Sequence, residues 1–234
     1  MLTSRIRINY VCERAVSKFY SPENILSQEN REKTTSKFST MQPIRLSHFP
    51  PRKAAVLVPL CLMDGKMALL YTLRTSKLKN HRGEVSFPGG MIDDSDKDVT
   101  EAALRETREE LGIVPECVDV WGSGRQLVAR GKTTVTPVLG YIKKNFKIKD
   151  LKLSRDEVDD AFYVTLEDLC NPKLYRHTQF RQDDTTFNMP VFTGGKYRIW
   201  GLTAVITYIA LHSLLPARAY NHQVKQLQSI RIIP

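Results

Sequence analysis

The sequence has little with which to build a thiolate metal site or a disulfide framework. Its four cysteines, Cys12, Cys61, Cys117 and Cys170, are scattered, with no Cys-x-x-C pair and no histidine at zinc-ligand spacing. Cys61 lies inside an apolar run, and the set reads as free thiols of a reducing compartment. Long apolar stretches are missing too. The run from Leu202 to Leu215, stopped by Pro216, is too short to span a bilayer and reads as a helix packed on a sheet. No internal repeat, zinc-finger spacing or aromatic RNA-binding signature is present, so the net charge of +10 suits polyanionic ligands in general and does not by itself imply nucleic acid. The first residues lack the uninterrupted apolar core of a secretory signal.

A composition of 41% hydrophobic and 26% charged residues fits one globular domain with modest extensions. Residues 1–45 begin basic (Arg5, Arg7, Arg14 and Lys18 against Glu13) and continue rich in Ser, Thr, Asn, Glu and Lys, which predicts a mitochondrial leader or a disordered segment. Residues 46–215 form the predicted domain, and 216–234 a polar tail. Within the domain, the apolar runs from Ala54 and Met67 flank Asp64-Gly65, a hairpin signal. Val118–Trp121 and Thr133–Ile142 read as strands with a turn near Gly131-Lys132, and Asp156–Leu166 as a strand entering a short helix at Glu167–Leu169. Phe180–Trp200 reads as a late hairpin about Gly194-Gly195 that could wall a cleft. Spacing alone assigns the α/β class.

The chemistry concentrates between Phe87 and Ile113, FPGGMIDDSDKDVTEAALRETREELGI. A Pro-Gly-Gly turn precedes an acidic loop, Asp93-Asp94-Ser95-Asp96, and then a helix with Asp98 as N-cap, Glu101 at the capping-box position and Gly112 as its stop. At about 100° per residue, Glu106, Glu109 and Glu110 fall in one sector above Val99, Ala102 and Ala103. Leu104 and Leu111 point the other way, flanked by Thr100 and Thr107. Three crowded carboxylates repel one another and are reconciled by hard divalent cations such as Mg²⁺ or Mn²⁺, which leave positions for phosphate oxygens. On these residues alone a solvated face with an Arg105–Glu109 pair stays open. Upstream, the cations Arg74, Lys77, Lys79 and Arg82 could grip a polyphosphate or simply line a solvated loop.

The Gly-to-Gly stretch resembles the signature box of the Nudix hydrolases. Gly90 is followed by five residues and Asp96, and then by eight residues before Arg105. Asp96 in place of Glu and the one extra loop residue depart from the common pattern, as does Thr107 at a usually apolar position. The first two departures, with Asp93 and Asp96 as a spaced pair, are similar to the coenzyme A diphosphatase branch. The upstream LLYTLRTSKLKNHRGEVSFPGG matches that branch in Arg74, His81, Arg82 and Gly83, and AAVLVPLC from Ala54 and WGLTAVIT from Trp200 extend the similarity.

The resemblance implies a Nudix α/β/α sandwich with a mixed sheet. It also implies metal-dependent hydrolysis of coenzyme A and its thioesters to 3′,5′-ADP and 4′-phosphopantetheine or its acylated form. Glu106 and Glu110 are then expected to hold Mg²⁺ or Mn²⁺, with Glu109 completing the shell or acting as base and Arg105 fixing the helix face. Arg74, His81, Arg82, Gly89 and Gly90 are expected to bind substrate, and Glu157 is a candidate additional acid. The expected partner is a small molecule, with neither nucleic acid nor membrane, and oligomeric state is open. With the basic start and a C-terminus that lacks a Ser-Lys-Leu signal, the expected location is mitochondrial, in the matrix. Three other readings remain at this point: a Nudix hydrolase of another nucleoside diphosphate derivative, a non-catalytic nucleotide- or coenzyme A-binding module, and, suggested only by the charge, an RNA-binding matrix protein.

Overall fold

Apolar residues fill both parities of the first long strands, the pattern of strands covered on both faces. The structure, a computed structural model, describes residues 17–41, 51–77, 83–129, 133–182, 185–223 and 226–227. Strands β1 (Lys53–Met63) and β2 (Lys66–Arg74) pair antiparallel across the expected turn, where Asp64 and Gly65 both have positive φ, 50° and 77°. Ala55, Leu57, Cys61 and Met63 of β1, with Ala68 and Leu70 of β2, share one buried cluster; Val58, Leu60, Met67, Leu69 and Tyr71 share the other.

Around this pair stand β3 (Val85–Ser86), β4 (Gly89–Met91), β5 (Val118–Ser123), β6 (Leu127–Ala129), β7 (Thr133–Ile142) and β8 (Val158–Thr165), giving an eight-stranded sheet. β1 runs parallel to β7 and antiparallel to β2 and β4, so the sheet is mixed. Helix α3 (Val99–Leu111) covers the first face; α2 (Gln28–Thr40) and α5 (Gly201–Leu214) cover the second. The predicted sandwich is therefore present, completed by the short helices α1 (Pro22–Ile25) and α4 (Leu166–Cys170) and by a small sheet of β9 (Tyr175–Gln182), β10 (Thr185–Phe192) and β11 (Gln226–Leu227).

Five expectations are corrected. Gly89–Met91 is a strand on the edge of β1 and not a turn. The late hairpin turns between Gln182 and Thr185, and Gly194-Gly195 follows it, Gly195 packed against Val164 and Phe162. The glycine pair looked like a turn signal but marks a close approach to β8. On α3, Leu104 is only partly buried, and the face in the core is Ala102, Ala103, Thr107 and Leu111.

The largest correction concerns residues 1–45: those from Lys18 to Thr40 are folded onto the domain, while 1–16 lie outside the described residues. Ser21 and Ser27 cap α1 and α2, accepting from Asn24 N–H and Asn30 N–H. Ile25 and Phe38 enter the second-face core, and Arg31 pairs with Asp119 at 2.9 Å. The serines that read as disorder are helix caps, and two apolar anchors suffice because α5 and β5 supply the rest of the contact. The end of the domain also extends past 215, with Ala219 and Tyr220 buried and Tyr20 donating to the Ala219 carbonyl at 3.0 Å.

Phe38→Ala is expected to lower unfolding free energy by about 3 kcal/mol, read from the urea midpoint at constant m. An unchanged midpoint would show that α2 lies outside the cooperative core.

Candidate active site

Two glycines make room for the carboxylates. β4 pairs Gly90 with Ala55 and Gly89 with Val56, and Gly89 has φ +150°. A Cβ on Gly89 would lie 2.3 Å from the Ala55 carbonyl oxygen; on Gly90 it would meet the Glu106 carboxylate carbon at 2.4 Å. Any side chain at either position would push the edge strand off β1 or the glutamate out of its place.

The helix is aimed by its ends. Asp98 Oδ1 accepts from Thr100 N–H at 2.8 Å and Glu101 N–H at 2.9 Å. Glu101 reaches back to Lys97 N–H and not to the N-cap's own N–H, a variation on the expected box. Gly112 closes the helix in the left-handed conformation, φ +71°. Just beyond, Ser154 N–H donates to the Glu110 carbonyl and Thr75 N–H to the Glu157 carbonyl. These bonds tie the approach to β8 and the end of β2 to the C-terminal turn of α3.

The three helix glutamates are not equivalent. Glu110 is 1% exposed and Glu106 15%, whereas Glu109 is 54% exposed and lies 3.4 Å from Arg105 Nη1. Among the described residues, the group of acids close enough to share an ion is Glu106, Glu110 and Glu157, with one oxygen of each within 4.8 Å of the others. Glu157 thus stands where the helical wheel put Glu109. An i,i+3 spacing reads only one helix, and Glu157 arrives from the head of β8 through the backbone bonds just named.

Burial pushes the Glu110 carboxyl up to about 8, helped by the charges of Glu157 and Glu106 and opposed by Arg74 and the Gly89 N–H. Burial raises Glu106 as well, against the pull of Arg105. Arg74 Nη1 lies 3.5 Å from Glu110 Oε1, while Glu110 Oε2 and Arg74 Nε are buried with no hydrogen-bond partner among the described residues. Three oxygen donors, one orphaned and buried, beside a cradle that a Cβ would fill, fit a hard divalent ion.

Arg105 is a clamp. Its Nε and Nη2 bond Asp96 at 3.0 and 2.9 Å, Nη2 also bonds the Met91 carbonyl, and Nη1 bonds Glu106 at 3.0 Å. It holds the Asp96 carboxyl below the usual aspartate range. Asp96 in turn accepts from Asp93 N–H at 2.8 Å, so the acidic loop is a folded clasp fastened to the helix. Of the expected substrate residues, Arg74, Gly89 and Gly90 border the carboxylates, and His81 and Arg82 lie outside the described residues.

The NUDIX domain family model matches residues 51–184. The chain is 46% identical over 168 residues to the mitochondrial coenzyme A diphosphatase of Mus musculus, covering 71% of this chain and 80% of that protein. It is 38% identical over 171 residues to the peroxisomal coenzyme A diphosphatase of the same organism, covering 70% and 71%. Among solved structures, an Ap4A hydrolase of C. elegans matches at 27% identity and TM-score 0.41, covering 50% of this chain and 82% of that one. The chain belongs to the Nudix family and is a Nudix hydrolase.

Glu110→Gln separates the carboxylate's role from its packing. In chelator the variant is expected to melt no lower than the parent, because the substitution removes a desolvated acid and keeps the shape. Saturating Mn²⁺ should raise the parent's melting temperature, with about 2.7 kcal/mol at 100 times Kd, and leave the variant's unchanged. An equal rise in both would exclude Glu110 as a ligand.

Proposed function

We propose that this hydrolase cleaves the diphosphate of coenzyme A and its acyl thioesters, giving 3′,5′-ADP and 4′-phosphopantetheine or its acylated form. The observation that carries the reading is the 46% identity, over four-fifths of its length, to a relative named a coenzyme A diphosphatase. The Asp93–Asp96 clasp and the basic residues before β3 support it. Relatives named mitochondrial support a mitochondrial location, and the basic start of the sequence points to the matrix within it.

Glu106, Glu110 and Glu157 would hold Mg²⁺ or Mn²⁺. Such ions, when bound, offset the charge of a diphosphate and make water a stronger nucleophile. The chain's own residues do the remaining work. Gly89 and Gly90 leave the β4 backbone open to the substrate, and Arg105 keeps Glu106 from turning away. Glu109 is exposed and held only by long contacts of 3.4 and 3.5 Å, so it is free to accept the proton of the attacking water. The water oxygen bonds to one phosphorus, the bridging P–O bond breaks, and its electron pair leaves with the other phosphate. His81 and Arg82 would meet the 3′-phosphate or the diphosphate by charge-assisted hydrogen bonds.

Glu109→Gln is expected to lower kcat by about 10²-fold or more while leaving the Mn²⁺-induced rise in melting temperature intact. Mass spectrometry of products formed from coenzyme A in H₂¹⁸O tests the reaction itself. Label on one phosphate product supports it, and intact coenzyme A beside turnover of another nucleoside diphosphate derivative would replace the substrate.

A further inference from the structure

Arg74 ends β2 at an irregularity: Leu73 pairs with Asp160 but Arg74 pairs with Val158, so β8 carries one extra residue at that step. Such a bulge turns the strand locally and re-aims its side chains. The backbone around Arg74 is held on both sides, its N–H donating to the Glu84 carbonyl, its carbonyl accepting from Gly83 N–H, and Thr75 N–H bound to Glu157. The side chain so directed is three-quarters buried and stops 3.5 Å from Glu110 Oε1. Its Nε–H has no acceptor, and neither does Glu110 Oε2 have a donor, among the described residues. A guanidinium brought this close to a buried carboxylate without a full hydrogen-bonded pairing makes a replaceable contact.

The geometry points to Arg74 as a built-in counter-cation for Glu110 that a divalent ion displaces, after which the guanidinium turns its free donors to the substrate's diphosphate. Without metal, Arg74 lowers the cost of ionising Glu110 beside Glu106 and Glu157, whose charges oppose it. With metal, the same positive charge is unwelcome beside Glu110, and the nearest new anion is the diphosphate. Metal loading would thereby make a phosphate-binding donor available only when the site can act. The destination of the guanidinium rests on the diphosphate reading above; its displacement from Glu110 does not.

The direction of the metal effect follows from charge. A divalent ion senses Arg74 with twice the charge that a proton on Glu110 does. Neutralising Arg74 therefore strengthens metal binding, even after the carboxyl's firmer hold on its proton is counted. An arginine that merely props Glu110 in place would give the opposite result, since losing it would weaken the ligand set.

The test is titration of the metal-free full-length protein with Mn²⁺ alone, free ion being read by paramagnetic resonance, with circular dichroism to verify folding. Arg74→Met and Arg74→Gln are expected to bind Mn²⁺ at least fivefold more tightly than the parent, and Arg74→Lys about as the parent does. Two neutral variants are used so that a folding defect in one leaves the comparison intact. Equal or weaker binding by the neutral variants overturns the assignment. With coenzyme A as substrate, the neutral variants should raise KM at least tenfold, and an unchanged KM removes the diphosphate half. A parent that binds Mn²⁺ but spares coenzyme A sinks the proposed substrate and leaves the counter-cation role standing, whereas a parent that binds no Mn²⁺ removes both.

Discussion

A carboxylate in the interior of a protein is an expense the fold must answer, and Glu110 is such a carboxylate, 1% exposed on the face of α3 that otherwise carries Ala102, Ala103, Thr107 and Leu111. The effective cost of taking one ion out of water is on the order of several kcal/mol, a large share of the roughly 5–15 kcal/mol by which a domain is stable. The unusual features nearby surround that group and its neighbours. Gly90 leaves room for the Glu106 carboxylate, Gly89 lets β4 lie against the Ala55 carbonyl, Arg74 comes in beside a bulge of β8, and Glu157 adds a further charge that a cation would join. A buried pair can be replaced by apolar residues without loss of stability, so a contribution to folding does not account for the arrangement, whereas the binding of a cation would.

What the sequence disclosed and what it hid divide by range. The caps of α3, the Asp64-Gly65 turn and the strand from Thr133 to Ile142 are written in neighbouring residues, and each was legible to within a residue. Glu106 and Glu110 were legible for the same reason, since one helix carries both. Glu157 was visible only as an acid at a strand head, because its partnership depends on the bonds from Ser154 to Glu110 and from Thr75 to Glu157. The exclusion of Glu109 from the cluster was invisible too: the wheel gives a direction, while the exposure of Glu109 and the arrival of Glu157 from another segment are decided in three dimensions. The N-terminal helices were misread because their composition is polar. Their order comes from Ile25 and Phe38 entering the second-face core and from Thr34 donating to the Ser213 carbonyl on α5, contacts between distant parts of the chain.

The second face of the sheet bears on the chemistry although none of the carboxylates lies on it. Tyr71 stacks on Phe87, ring centroids 4.7 Å apart, and on Phe162 at 5.5 Å, and its hydroxyl lies 3.1 Å from Thr207 Oγ1 on α5. Phe87 leads into Gly89, Tyr71 sits three residues before Arg74, and Phe162 belongs to the strand that Glu157 heads. The stack therefore links the three segments that deliver the glycine cradle, the guanidinium and the third acid. Side chains alternate along a strand, so a slip of one residue between β2 and β8 would exchange the faces, sending Tyr71 toward α3 and Arg74 away from Glu110. Burial of large aromatic rings on one side thus opposes any register that would scatter the charges on the other. Helix α5, joined to Tyr71 through Thr207 and to the Val85 carbonyl through Thr203, acts on the site through that register and without touching it.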